Sequence, residues 1–95
     1  MRTPWGDADT VEYIGTQGIK RVNTPSHGGY YVPRKLLGRI PEAHQLYALK
    51  WSGSRQWYEE DCAWPAVVLA FPELFTAEHV TEARESAAHY LNREN

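Results

Sequence analysis

Ser26-His27-Gly28-Gly29 is the first stretch of this chain whose residue types could do chemistry. A hydroxyl beside an imidazole, followed by two glycines with unobstructed backbone N–H groups, is the composition of an acyl-transfer site. The spacing argues against it. Adjacent side chains in an extended segment point to opposite faces, so Ser26 and His27 cannot easily share a proton. A tight turn explains the same residues, with His27 bonded within its loop and the glycines giving positive φ or a close backbone approach. Cys62 with His27 as its base is a second arrangement. Nothing local to Cys62 supports it, and a lone cysteine followed by apolar residues is usually a small core residue. No catalytic residue is assigned. A small enzyme using His27 with Cys62 or Ser26 stands as a minor alternative.

Trp57-Tyr58-Glu59-Glu60-Asp61-Cys62 sets three acids in a row. Carboxylates hold divalent cations, but this segment is expected to be helical. Consecutive helical residues fan out by about 100° each, so three neighbours do not converge on one ion. His27, His44, Cys62, His79 and His89 offer no Cys-x-x-Cys and no His-x-x-x-His pair, which removes the spacing signal for zinc. Neither a metal nor a cofactor is expected.

Binding is the remaining chemistry. Its candidate residues are His27, Tyr30 and Tyr31 in one stretch, Trp57, Glu59, Glu60 and Asp61 in another, and Glu78 and Glu82 near the C-terminus. Tyr and Trp are the side chains that anchor interfaces. Lys20, Arg21, Arg34 and Lys35 beside Tyr30-Tyr31 would also suit stacking on single-stranded nucleic acid. The balance of 10 Lys+Arg against 12 Asp+Glu, a formal net charge of -2, opposes that use. The charges are unevenly placed: residues 17–39 hold five cations and no acid, and Glu59 to Glu85 is acidic apart from Arg84. An ordinary solvated surface is the expectation, with one basic and one acidic side as the alternative.

The elements that position these residues follow from periodicity and turn chemistry. Residues 1–9 read as an irregular lead-in pinned by Trp5. Thr10–Ile14 and Ile19–Asn23 are β-branched and alternating, and Gly15-Thr16-Gln17-Gly18 joins them as a four-residue hairpin loop. A turn over 24–29 leads to a short strand at Tyr30–Val32, ended by Pro33. A brief helix is expected over 33–40, ended by Pro41. Residues 42–51 fit either a helix or a strand, and 52–54 form a loop. Trp57–Phe71 reads as the central buried helix, either starting near Trp64 or kinked around 61–65, because Pro65 is tolerated only in a first turn. Thr76 caps a last helix over 77–92, whose Val80, Ala83, Ala87 and Leu91 form one apolar stripe. Residues 92–95 are expected to fray. The fold class is α+β: an N-terminal antiparallel sheet of about three strands packed on two or three C-terminal helices, in one domain over 1–95.

A chain of 95 residues with 4 Trp, 6 Tyr and 2 Phe can build a core without disulfides or metal. The single cysteine, the lack of an apolar run after Met1 and the short apolar stretch at 63–71 suggest a reducing, cytoplasmic setting and no membrane span.

Thr24-Pro25-Ser26-His27-Gly28-Gly29, Trp57-Tyr58-Glu59-Glu60-Asp61-Cys62 and Val68-Leu69-Ala70-Phe71-Pro72-Glu73-Leu74-Phe75, in this order, resemble a family of small domains of unknown function found in bacteria, phages and plasmids. The similarity covers most of residues 3–75. It brings no catalytic residues. It implies a setting of mobile genetic elements and their hosts. In that setting, the expected function is a protein-binding module that inhibits a host defence complex sterically, as anti-CRISPR proteins do. The expected partner is a host protein such as a CRISPR-Cas or other defence-nuclease subunit.

Overall fold

The computed structural model describes residues 1–91. Its strands are β1 (Arg2–Thr3), β2 (Gly6–Asp7), β3 (Thr10–Ile14), β4 (Ile19–Asn23), β5 (Gly28–Tyr31) and β6 (Trp57–Glu59). Its helices are α1 (Glu42–Ser52), α2 (Pro65–Ala70) and α3 (Ala77–His89), with 3-10 turns at Arg34–Arg39 and Pro72–Leu74. The α+β class expected from the sequence is the class observed.

The β3–β4 hairpin forms where the β-branched runs place it. Its four-residue loop pairs Ile14 with Ile19 and Tyr13 with Lys20. β5 adds to β4 and β6 adds to β5, all antiparallel, giving the order β3-β4-β5-β6. β5 begins at Gly28, inside the stretch expected to be a turn. The turn itself is confined to Thr24–His27, where the His27 N–H donates to Thr24 Oγ1 at 3.1 Å and the Thr24 N–H donates to the His27 carbonyl at 2.7 Å. The lead-in is also more ordered than expected: β1 and β2 form a small hairpin, with Thr3 Oγ1 donating to the Gly6 carbonyl at 2.7 Å.

The largest departure is at 57–64. Trp57–Glu59 is the fourth strand, not helix, and residues 60–64 form turns. Pro65 is the reason. The helix begins at it, in the first turn where its missing N–H has no bond to lose. Upstream residues are thereby released to pair with β5, where Tyr58 lies opposite Tyr30 and is fully buried. The ambiguous 42–51 segment is helical and stops at Gly53, a left-handed cap with φ of 80°.

α3 starts at Thr76, whose side chain accepts from the His79 N–H. Ala83, Ala87 and Leu91 of its stripe are buried and Val80 is half-buried. The small alanines bring α3 close to α2, which is buried at Pro65, Ala66, Val67 and Val68. α3 ends at His89 rather than 92. The expectation of fraying over 92–95 lies outside the described residues. The core joins Ile19, Tyr30 and Tyr58 of the inner sheet face to Ile40, Tyr47, Ala48, Val67, Val68 and Phe71. No helix among the described residues is long and apolar enough to cross a membrane.

Candidate functional site

Strand alternation divides the sheet residues between two faces. Ile19, Tyr30 and Tyr58 point inward. Tyr13, Lys20, Tyr31 and Trp57 are successive register partners across all four strands and share the outer face. They form a row in contact. The Lys20 ammonium lies 5.6 Å from the Tyr13 ring and 5.2 Å from the Tyr31 ring. Tyr31 and Trp57 have ring centroids 5.0 Å apart. Trp5, carried on the β1–β2 turn, meets Trp57 edge-on at 5.7 Å.

Tyr13 at the free edge is 67% exposed, and Lys20, Tyr31 and Trp57 are half-buried. Trp5 also lies over Gly29, where an added Cβ would sit 2.8 Å from its ring. The outer face is therefore closed in its middle by one tryptophan and open at both ends. The open ends are the Tyr13 end and the end that carries His27, Glu59 and Asp61.

The candidate binding residues divide accordingly. Tyr31 and Trp57 come together on the outer face, as does His27, which is exposed. Tyr30 does not join them: it is only 6% exposed, on the inner face, with its hydroxyl pushed above its ordinary range chiefly by burial. Its place in a binding surface is corrected to a place in the core. Tyr13 and Trp5 are the residues sequence reasoning missed. The hairpin register already pairs Tyr13 with Lys20, so the signal for Tyr13 was present. Trp5 was legible as the residue that pins the lead-in, but not as part of the outer sheet face.

The acids no longer follow a helical fan. Glu59 ends β6 with its side chain 16% exposed and His27 Nδ1 3.4 Å from its carboxylate. Burial pushes its carboxyl above the ordinary range, the nearby imidazole opposes this, and Asp61 and Glu60 push it further up. Glu60 turns the other way. Arg21 donates to its Oε1 at 2.8 Å and the Gly28 N–H donates to its Oε2 at 3.1 Å. Glu78 and Glu82 are exposed on α3, with Glu82 3.2 Å from His79 Nδ1. His79 stacks on Trp64 at 4.9 Å.

Two ion pairs join the basic segment to the acidic one. Arg21 pairs with Glu60, and Arg39 pairs with Glu73 through two bonds of 2.7 and 2.9 Å. The basic segment thus lies directly against the acidic one. Of the nucleophile candidates, Cys62 is half-buried. Burial pushes its thiol up, a hydrogen bond with Tyr47 opposes this, and Glu59 and Asp61 raise it further; the net rise keeps the reactive thiolate scarce.

Two of the three stretches that carry the sequence resemblance are thus neighbours in space. Residues 24–29 lead into β5, residues 57–62 contain β6, and Gly29 pairs with Glu59. A family model described as a domain of unknown function (DUF7007) matches residues 1–94, and the chain belongs to that family. No curated protein and no solved structure matches it.

Proposed function

We propose that this DUF7007 member is a non-catalytic protein-binding module of a mobile genetic element, and that it obstructs a host defence complex in the bacterial cytoplasm by steric binding, as anti-CRISPR proteins do. The observation that supports a binding role is the outer row Tyr13–Lys20–Tyr31–Trp57. Rings that pack on one another lose little conformational freedom when a partner covers them, and Tyr and Trp anchors supply most of the energy of an interface. The mobile-element setting is what the sequence resemblance implies. The partner is a host protein such as a CRISPR-Cas or other defence-nuclease subunit, with Asp61, Glu78 and Glu82 as rim charges that steer encounter.

The test is a cleavage assay with a purified defence nuclease or surveillance complex. The chain is expected to inhibit, and Tyr13→Ala and Tyr31→Ala are each expected to weaken inhibition by about 30-fold or more, the cost of losing an anchor. Equal inhibition by these variants would remove the outer face from the interface. A second reading is single-stranded nucleic acid stacked on the same rings, favoured by the Lys20 ammonium between two tyrosines. A low-salt mobility shift with single-stranded DNA or RNA would transfer the function to that reading.

A further inference from the structure

The other open end of the outer face carries a different chemistry. His27 precedes β5, Glu59 ends β6 and Asp61 follows it. Antiparallel pairing of Gly29 with Glu59 brings these three to one place, although 32 and 34 residues of chain separate His27 from the two acids. Each offers one ligand atom, and the three atoms lie within 4.8 Å of one another. His27 Nδ1 and Glu59 Oε1 are 3.4 Å apart. Ligands held about 2.0–2.2 Å from a tetrahedral ion are themselves about 3.3–3.6 Å apart, so this pair already has the separation of two ligands on one ion.

The charge around the cluster points the same way. The nearest guanidinium in the sheet, that of Arg21, is committed to Glu60. Two carboxylates converge with an imidazole, and the side chain of Glu59 is largely removed from water. A divalent ion would offset the charge of the two carboxylates. One imidazole and two carboxylates form the mixed nitrogen–oxygen donor set suited to first-row divalent ions, with water completing the shell.

We propose that His27, Glu59 and Asp61 form a binding site for a divalent transition-metal ion such as Zn²⁺ or Mn²⁺. Glu60 is outside the set, because Arg21 and the Gly28 N–H hold it to the opposite side of β6. The proposal does not depend on the partner reading above.

Calorimetric titration of the metal-free full chain with Zn²⁺, Mn²⁺ and Co²⁺ tests it. One ion is expected to bind per chain, with a Kd well below roughly 1 mM for at least one of them, and to raise the unfolding temperature. His27→Gln and Asp61→Asn are each expected to weaken binding by at least about tenfold, the lower end of what even an outer-shell partner costs. His79→Gln is the control, since His79 and Glu82 form the other imidazole–carboxylate pair. Asp61 is exposed in a turn, so its replacement leaves the core intact, and circular dichroism verifies that. Absence of binding by all three ions at roughly 1 mM would overturn the proposal. So would affinity unchanged in Asp61→Asn, or lost equally in His79→Gln.

Discussion

Arg21 on β4 reaches Glu60, just past β6, across the intervening strand β5, with Nη2 2.8 Å from Oε1. The strand between them is passable because Gly28 has no side chain. A Cβ there would lie 3.0 Å from Glu60 Oε1, 2.6 Å from Asn23 Oδ1 and 3.0 Å from the Val22 carbonyl oxygen. Gly28→Ala is therefore expected to push the carboxylate off both Arg21 and the Gly28 N–H and to cost about 1–3 kcal/mol, the range for overpacking. Gly38→Ala, where an added Cβ meets nothing within 4 Å, is expected to change stability by less than about 1 kcal/mol. Urea unfolding of both variants checks the contrast. Equal midpoints would show that the sheet absorbs a side chain at Gly28 freely.

Glu59 sets a pH dependence of known sign. Its carboxyl is raised in the fold chiefly by burial, with Asp61 and Glu60 adding to the effect. A raised group contributes stability that is fully present below the ordinary glutamate value of about 4.3 and is lost as pH rises through the raised value. Glu73 acts oppositely: Arg39 holds its carboxyl below the ordinary range, so its contribution is present at higher pH and lost as pH falls. The difference between wild type and Glu59→Gln isolates the first effect. In chelator at pH 7, Glu59→Gln is expected to be the more stable of the two, with the higher Tm. The advantage should vanish near pH 4. Thermal melts across this range measure it, and a variant less stable than wild type at pH 7 would refute the assignment.

Phe71 and Trp64 separate core from surface. Phe71 is 1% exposed and lies beneath the Arg39 guanidinium at 4.4 Å. Trp64 is half-buried and stacks on His79. Phe71→Ala is expected to cost about 3–5 kcal/mol, a large share of what a chain of this size has. Trp64→Ala should cost less than half of that, since part of its ring already faces water. Denaturation midpoints decide. A Trp64→Ala loss equal to that of Phe71→Ala would mean the stacked pair is structural core.

Much of the architecture was legible because local signals agreed. The β3–β4 hairpin, the Thr76 cap and the Val80–Leu91 stripe are each signalled by residue types within one short stretch of chain, and all appear in the fold. For the Trp57–Phe71 helix, Pro65 left two readings, a start near Trp64 or a kink around 61–65; the first is the one observed, with α2 starting at Pro65 itself. What the sequence could not decide was the fate of 57–59. A short run of Trp, Tyr and Glu has no period that distinguishes strand from helix. Its strand state comes from hydrogen bonding to β5, which lies almost thirty residues earlier in the chain.

That one long-range pairing decides the site. Residue types alone determined the α+β class, the aromatic load and the two stretches worth attention. Only the tertiary fold placed Tyr31 and Trp57 side by side, sent Tyr30 inward, and brought His27 to Glu59 and Asp61. The physical reason is the two-residue period of a strand: once β6 joins the sheet, every second side chain changes face. A row of acids that would fan apart on a helix then separates into Glu59 and Asp61 on one side and Glu60 on the other.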